Sequence, residues 1–196
     1  TMNLFLWGAL PYIAFTFLIV GTLVRFFYFE RNWTTKSSEF LEKKQLRIAN
    51  PLFHFGLLCV IGGHVVGVLI PKTWTAAIGI NDHMYHQGAL YMGAVAGLIF
   101  IVGFLLLMKR RFTVAELKVN TSGLDKWLYL FLTLAIFSGM AGTLLNASGF
   151  FDYRVSIGPW FRSLLAFMPD PSLMEGVPFM FKFHMLAWMV VAIIFP

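Results

Sequence analysis

The chain has 196 residues, of which 59% are hydrophobic and 12% are charged, with a formal net charge of +6 and a mean hydropathy of +0.76. Because soluble domains carry about 25% charged residues, this composition excludes a water-soluble globular protein and makes the lipid bilayer the solvent. The long uninterrupted apolar runs exclude a membrane β-barrel, whose strands would alternate in hydropathy with a short period.

Five apolar segments follow one another along the chain. Each is close to the ~20 residues that a helix needs to cross ~30 Å of hydrocarbon. We therefore predict an all-α integral membrane protein, a bundle of five transmembrane helices that forms a single domain over residues 1–196. The predicted spans are approximately 4–24, 51–71, 85–108, 126–146 and 178–196.

The basic residues indicate the orientation of these helices. Of the fifteen Lys and Arg residues, six lie in the connection 25–50 and five in the connection 109–126. The positive-inside rule places both connections in the cytoplasm, which puts the N-terminus outside and the C-terminus of a five-span chain in the cytoplasm. The positive charge therefore reflects membrane topology and does not indicate a nucleic-acid-binding surface.

The connection before the last predicted span and the end of that span each support a further prediction. The outside connection 147–177 is the longest and is rich in aromatic, Gly and Pro residues, which favours an interfacial loop with a short surface helix around 159–167. After Lys182 no basic residue follows, and the sequence stops in an apolar run at Pro196. Because a cytoplasmic helix end is usually followed by Lys or Arg, we expect the sequence to stop within or just after its last helix, short of the native C-terminus.

Three histidines lie inside predicted spans, namely His54, His64 and His184. Ionisable side chains are costly in a bilayer and are usually functional there, and neutral imidazole ligates metals and haem iron. His54 and His64 are separated by ten residues, which is ~15 Å in height and ~80° around the helix, so they cannot share one ligand. His64 and His184 have similar depths near the outer face, where a cofactor bridging them would fit.

The separation of these histidines distinguishes between kinds of site. A zinc or copper site needs three or four ligands at one point, and no acidic or Cys ligand lies at either depth. A b-type haem needs only two histidines for each iron and fits best, whereas hydrogen-bonded core imidazoles are the alternative. His54 then needs a partner near the inner end of the fifth span, where no histidine remains before Pro196.

Five glycines lie in the same spans as the histidines or in the fourth span: Gly56, Gly62, Gly63, Gly139 and Gly142. Such small residues permit close approach of a flat macrocycle or of another helix.

Two further histidines, His83 and His86, lie three residues apart on one face at the outer mouth of the third span. They are ordinary polar loop residues, metal ligands, or groups that bond a quinone carbonyl and carry its proton; His86 is the deeper of the two.

Several motifs extend this pattern over nearly the whole chain. They are FHxG…GGHxxGxLxP from Phe53 to Pro71, FKFH ending at His184, PYxA at Pro11–Ala14, WTxKSSEFLEKKQL from Trp33 to Leu46, and WFRSL…PDPSLM from Trp160 to Met174. With five spans and an outside N-terminus, the chain resembles the gamma subunit of respiratory nitrate reductase, a membrane cytochrome b, and its Gram-positive branch in particular.

The resemblance implies two b-type haems in a multi-pass protein of the bacterial cytoplasmic membrane. His64 and His184 would ligate the distal haem near the outer face. His54 would ligate the proximal haem together with a histidine about five helical turns beyond His184, a ligand that this sequence does not contain. Arg110 or Arg111 could pair with a propionate of the inner haem.

The resemblance also implies the function of the subunit. Quinol would be oxidised at the outer mouth, with Gly63, His64 and His86 as candidate contacts. Electrons would pass through the two haems to a cytoplasmic iron–sulfur (beta) subunit and from there to a molybdenum-containing catalytic (alpha) subunit that reduces nitrate. Two alternatives remain at this point: a cytochrome b anchor of a sulfur-compound or heterodisulfide reductase, and a proton-coupled transporter that uses the histidines as relays.

Overall fold

The computed structural model describes residues 2–28 and 42–196, and the regular elements in these ranges are all helices. A 3-10 turn at Pro171–Met174 precedes the last helix. We number the helices in chain order as α1 (Met2–Tyr28), α2 (Lys44–Leu69), α3 (Lys72–Ala77), α4 (Asp82–Thr113), α5 (Ala115–Val119), α6 (Gly123–Leu145), α7 (Ile157–Leu165) and α8 (Phe179–Ile194).

Four helices in the described ranges, α1, α2, α4 and α6, are long and apolar enough to cross a membrane. Helix α8 is equally apolar but has 16 residues, which extend about 24 Å at 1.5 Å per residue. The prediction of an all-α membrane protein is therefore confirmed as a helical chain with four candidate spans. The fifth span and the orientation in the membrane stay predictions.

Helix α2, which carries two of the three span histidines, is longer than its predicted span. It begins at Lys44, so Pro51 lies inside the helix rather than at its start. Because proline has no N–H, Pro51 cannot donate to the Arg47 carbonyl one turn earlier, and a single hydrogen bond is lost. The Arg47 N–H still donates to the Lys43 carbonyl at 3.0 Å, and the helix continues through Pro51. It ends where Ile70, which precedes Pro71, turns to an extended conformation.

The long helices α4 and α6 begin at polar caps. The Asn81 side chain accepts a hydrogen bond from the Met84 N–H at 2.9 Å at the start of α4. At the start of α6, Ser122 and Asp125 form a reciprocal capping box, in which each side chain accepts from the backbone N–H of the other. These bonds satisfy N–H groups that have no partner within the helix and fix where each helix begins.

Helices α2 and α4 pack backbone to backbone through two glycines. A Cβ atom at Gly56 would lie 2.5 Å from the backbone nitrogen of Phe100, and one at Gly103 would meet the backbone of Phe53. Around them, Phe100, Phe104 and Ile136 form a buried cluster that joins these helices to α6. Gly56 is therefore a helix-packing residue, which was one of the two roles that the sequence left open.

One end of the bundle is covered by α3 and by the connection 147–177, which contains α7, and we call it the capped end. The Trp160 indole N–H of α7 donates to the Trp7 carbonyl at 2.8 Å, and the Arg162 guanidinium donates to the Val68 carbonyl at 2.7 Å. The Tyr12 hydroxyl donates to the Leu164 carbonyl at 2.8 Å. The predicted short helix around 159–167 is thus confirmed as Ile157–Leu165, and it joins the ends of α1 and α2.

Candidate haem site between the second and last helices

Two of the predicted ligands, His64 of α2 and His184 of α8, face each other. Their ring centroids are 6.0 Å apart and their ring planes are inclined by 26°. Helix α8 packs against α6 and α1, and this packing positions His184 opposite α2. The structure therefore brings together the two histidines that were predicted to lie at similar depths near the outer face.

The spacing of this pair fits a metal ion held between the two rings. A metal–imidazole nitrogen bond of about 2 Å on each side, together with the half-width of each ring, gives about 6 Å between the ring centroids. A direct hydrogen bond between the two rings would bring them closer together. This centroid distance suits two histidines that would together hold one haem iron.

The hydrogen bonds of all three span histidines leave the same ring nitrogen available. The Nδ1 atoms of His54 and His64 lie 2.9 and 2.8 Å from the carbonyl oxygens of Asn50 and Val60, one turn earlier in α2. The Nδ1 atom of His184 lies 2.8 Å from the Ala135 carbonyl oxygen of α6. Because a carbonyl oxygen only accepts, Nδ1 carries the proton in each ring, and the Nε2 lone pair is free to bind a metal.

The His184 ring packs against helix α6 in a socket formed by Ala135, Ser138 and Gly139. A Cβ atom at Gly139 would lie 2.7 Å from Cε1 of the His184 ring, so only glycine allows the ring to rest there. The Ser138 hydroxyl oxygen lies 3.3 Å from His184 Nδ1 and donates its own proton to the Ala135 carbonyl at 3.1 Å. Ala135 and Ser138 are both buried. Three residues of α6 therefore determine how this imidazole is oriented.

The glycines beside His64 have free space around them. Apart from the adjoining residues and the local helix backbone, no described atom lies within 4 Å of a Cβ atom built on Gly62 or Gly63. Both residues lie on the exposed surface of α2, immediately before His64. They leave room for a flat group against the helix backbone at this point, which is a different role from that of Gly56.

His54 lies nearer the start of α2, and its ring makes an edge contact with Phe53, at 5.2 Å between centroids. The described ranges include all five histidines of the chain. His64 and His184 pair with each other, and the other two are at the start of α4, so the chain offers His54 no second histidine. Its assignment to a proximal haem stays a prediction.

His86 differs from the span histidines in its hydrogen bonding. Its Nε2 atom, rather than Nδ1, lies 3.3 Å from the Ala147 carbonyl, and the ring packs against Gly149, whose φ is +71°. His83, one turn earlier in α4, is exposed. In the described ranges, no group of three or more His, Cys, Asp or Glu side chains could hold a metal ion.

A polar cluster at the capped end holds the start of α4 against the end of α2. The buried Arg154 guanidinium lies 3.7 Å from the centroid of the Tyr85 ring and donates to the Thr75 hydroxyl at 2.7 Å. The Tyr85 hydroxyl and the Tyr153 ring both pack against Gly67, which is three residues beyond His64. Burial, followed by the hydrogen bond with Tyr85, raises the pKa of Tyr153, so its hydroxyl stays neutral.

Lys72 links the same cluster to the two connections that flank it. Its ammonium group lies 2.7 Å from the Asp82 carboxylate and 3.1 Å from that of Asp152. These hydrogen bonds, with that to Asp82 the larger effect, hold the pKa of Lys72 above its usual range. The lysine therefore stays charged and bridges the start of α4 to the connection before α7.

At the opposite end of the bundle, Arg110 and Arg111 of α4 both have protein partners. Buried Arg110 donates to the Glu42 carboxylate at 2.9 Å and to the Glu42 backbone carbonyl at 2.7 Å. The Gln45 backbone N–H, and then Arg110, hold the pKa of Glu42 below its usual value. Arg111 donates to the Thr121 hydroxyl at 2.9 Å. A role for either arginine toward a haem propionate stays a prediction.

The sequence reasoning missed the socket residues Ala135 and Ser138. A usable signal was present, because Ser138 is a polar residue in an otherwise apolar stretch of α6 and is followed directly by Gly139. A hydroxyl beside a glycine at mid-helix suggests close approach of a polar group from a neighbouring helix. The backbone carbonyl of Ala135, by contrast, gives no sequence signal.

The chain is similar in sequence to several known proteins over nearly its whole length. The nitrate reductase gamma chain of Bacillus subtilis is 46% identical over 192 residues, which cover 97% of this chain and 86% of that protein. The respiratory nitrate reductase 1 gamma chain of Escherichia coli is 27% identical over 197 residues, covering 100% of this chain and 87% of that protein. The nitrate reductase-like protein NarX of Mycobacterium tuberculosis is 37% identical over 193 residues, which cover 97% of this chain but 30% of that longer protein.

The match to the family is as extensive as the match to these relatives. Residues 3–196 fit the sequence pattern of the nitrate reductase gamma subunit. That range contains the His64–His184 pair, the glycines beside it and the socket on α6. The chain therefore belongs to the nitrate reductase gamma subunit family.

Proposed function

We propose that this chain is the membrane cytochrome b subunit of a bacterial respiratory nitrate reductase, that residues 1–196 form one transmembrane cytochrome b domain, and that the subunit oxidises quinol. The observation that carries the proposal is the His64–His184 pair, with ring centroids 6.0 Å apart, in a chain of the gamma subunit family. A pair of imidazoles with both Nδ1 atoms bonded to carbonyls suits a haem iron better than it suits a proton relay.

His64 and His184 would hold a distal haem b, and His54 would be one ligand of a proximal haem b. When bound, the two haems supply the one-electron chemistry that connects quinol with an iron–sulfur subunit. The protein provides the ligand orientation, through the carbonyls of Val60 and Ala135, and free space beside the α2 backbone. The different positions of His54 and His64 along α2 would separate the two haems in depth.

Quinol would bind at the capped end, beside the distal haem, with Gly63, His64 and His86 as its contacts. The Tyr85 hydroxyl, next to His86 in sequence, packs against Gly67, one turn beyond His64, so the start of α4 is held near this part of α2. His86 has a ring nitrogen that is not directed at the Ala147 carbonyl and could accept or donate a proton. Protons from quinol oxidation would leave on this side.

The proposed orientation follows from the basic residues. The capped end would face the outside, and the connection 109–126, which holds Arg110 and Arg111, would face the cytoplasm. Helix α8 would form the fifth span. An iron–sulfur (beta) subunit would dock on the cytoplasmic side and connect this chain with a molybdenum-containing (alpha) subunit, where nitrate is reduced. The complex would lie in the bacterial cytoplasmic membrane.

The proposal is tested with the assembled complex in membrane vesicles. We expect a b-type band in the reduced-minus-oxidised spectrum, reduction of that band by a quinol, and its reoxidation by nitrate. Absence of a b-type band would contradict every cytochrome function for this chain. A band that quinol reduces but nitrate does not reoxidise would instead indicate a cytochrome b anchor of another reductase.

A further inference from the structure

We propose that Ser138 is a positioning residue for His184, and that its hydroxyl tunes the reduction potential of the haem that His184 would ligate. The inference rests on the proposed function in one respect, since it takes His184 as a residue that would hold haem iron. Ser138 would touch neither the haem iron nor quinol. It would act only through the His184 imidazole.

The contacts define what the hydroxyl does. The His184 Nδ1–H donates to the Ala135 carbonyl at 2.8 Å, and the Ser138 oxygen, at 3.3 Å from Nδ1, is a second and weaker acceptor for the same proton. The Ser138 proton is directed elsewhere, to the Ala135 carbonyl at 3.1 Å. The oxygen of the serine therefore presents its lone pairs to the imidazole, and its orientation is fixed by the helix backbone.

This arrangement makes the two histidines of the pair unequal. The Nδ1–H of His64 donates to the Val60 carbonyl of its own helix. The Nδ1–H of His184 is bonded across the helix interface, to α6. The hydrogen bonding of His184 therefore involves a side chain of another helix, Ser138 of α6.

Hydrogen-bond acceptors at Nδ1–H make an imidazole more basic at Nε2. A more basic ligand stabilises the oxidised state of an iron, which carries the larger positive charge, and so lowers the reduction potential. Removing the Ser138 oxygen removes one of two acceptors in a buried, low-dielectric setting, where such bonds have more effect than in water. The reduction potential of the distal haem should then rise.

The same helix provides a control. Thr143 also donates its hydroxyl proton to a carbonyl of its own helix, that of Gly139, at 3.1 Å, rather than to a group that contacts His184 Nδ1. The substitution Thr143→Val removes a hydroxyl of the same kind, at nearly constant volume, five residues further along α6. It should leave the potential unchanged.

The test is a potentiometric titration of the b-type absorbance in the assembled complex. For Ser138→Ala we expect the midpoint of the distal haem to become more positive and that of the proximal haem to stay constant. Ser138→Thr, which keeps the hydroxyl, should restore the wild-type value. Should Ser138→Ala lose haem, Ser138→Cys serves in its place, because sulfur is a weaker acceptor and should give a smaller shift in the same direction.

Either an unchanged or a more negative distal midpoint in Ser138→Ala, or the same shift in Thr143→Val, would overturn the inference. These outcomes are distinct from a failure of the proposed function. If wild-type complex shows no b-type titration, the proposed function fails; if it shows two midpoints that Ser138→Ala leaves in place, only the role of Ser138 fails.

Discussion

The imidazole rings of His64 and His184 lie 6.0 Å apart, and each ring directs its Nδ1–H to a backbone carbonyl, that of Val60 in one case and that of Ala135 in the other. Both Nε2 atoms are thereby left as lone-pair donors. One ring is oriented by its own helix, whereas the other is oriented by a neighbouring helix. The pair thus depends on the packing of α8 against α6 as much as on the presence of two histidines.

A first prediction concerns the glycine under His184. The substitution Gly139→Ala places a Cβ atom 2.7 Å from Cε1 of the ring, so the ring must move away from the Ala135 carbonyl. We expect haem affinity at the distal site to fall about 10- to 100-fold, as for other losses of ligand support. The measurement is the b-type haem content of the purified complex.

Gly142 is the matched control for this change. It lies one turn further along α6, and a Cβ atom there would make an ordinary contact, 3.7 Å from the Phe181 ring. Gly142→Ala should keep the wild-type haem content. Equal haem content in both variants would show that His184 does not need the close approach to α6.

A second prediction concerns the contact between α2 and α4. Gly56→Ala would place a Cβ atom 2.5 Å from the backbone nitrogen of Phe100, and a backbone atom cannot move aside as the end of a side chain can. We expect the free energy of unfolding to decrease by about 1–3 kcal/mol, as for other overpacked sites. Thermal unfolding in detergent measures the effect.

Its control is Gly88→Ala in α4, where no described atom beyond the adjoining residues and the local helix backbone lies within 4 Å of the new Cβ. Alanine is the better helix former by about 1 kcal/mol, so this variant should be neutral or more stable. A Gly56→Ala protein as stable as Gly88→Ala would mean that the two helix backbones are further apart than described.

A third prediction concerns the capped end. Trp160→Phe removes the indole N–H that donates to the buried Trp7 carbonyl, and it leaves that carbonyl without this partner. The expected cost is about 1–2 kcal/mol in the free energy of unfolding. Trp127→Phe, at an exposed position on α6, should cost less in the same thermal assay. The reverse order would show that α7 does not hold the end of α1 in place.

A fourth prediction concerns the proposed contact of Gly63 with quinol. Apart from the adjoining residues and the local helix backbone, no described atom lies within 4 Å of a Cβ atom there, so Gly63→Ala should leave the fold intact. If quinol lies against this glycine, the KM for quinol should rise about tenfold, which corresponds to about 1.4 kcal/mol of binding free energy. Steady-state kinetics with quinol and nitrate measures it, and an unchanged KM would remove Gly63 from the quinol site.

The sequence predicted the helices and the pairing of histidines because both depend on simple periodic quantities. Apolar run length identifies a membrane helix, and residue counts along two antiparallel spans gave His64 and His184 the same depth. The start of α2 was less predictable, because Pro51 is a common first-turn residue but here lies within a helix that begins at Lys44. A single missing N–H did not end that helix.

The contacts within the candidate site could not be predicted from the sequence. The Gly56 and Gly139 positions look alike in a list of small residues, yet one meets a helix backbone and the other meets an imidazole ring. The ion pair of Arg110 with Glu42 joins residues far apart in sequence, and the carbonyl of Ala135 carries no side-chain signal. Each of these depends on how two helices face each other, which hydropathy alone does not specify.

The measurement that tests the account most directly is the redox titration of b-type haem in assembled complexes that carry His64→Ala or His184→Ala. Both substitutions should remove the same component, that of the distal haem, and leave the proximal component in place. His86→Ala, which changes a histidine outside the pair, should keep both components and alter only quinol oxidation. Retention of both components in either His64→Ala or His184→Ala would contradict the assignment of the pair as haem ligands.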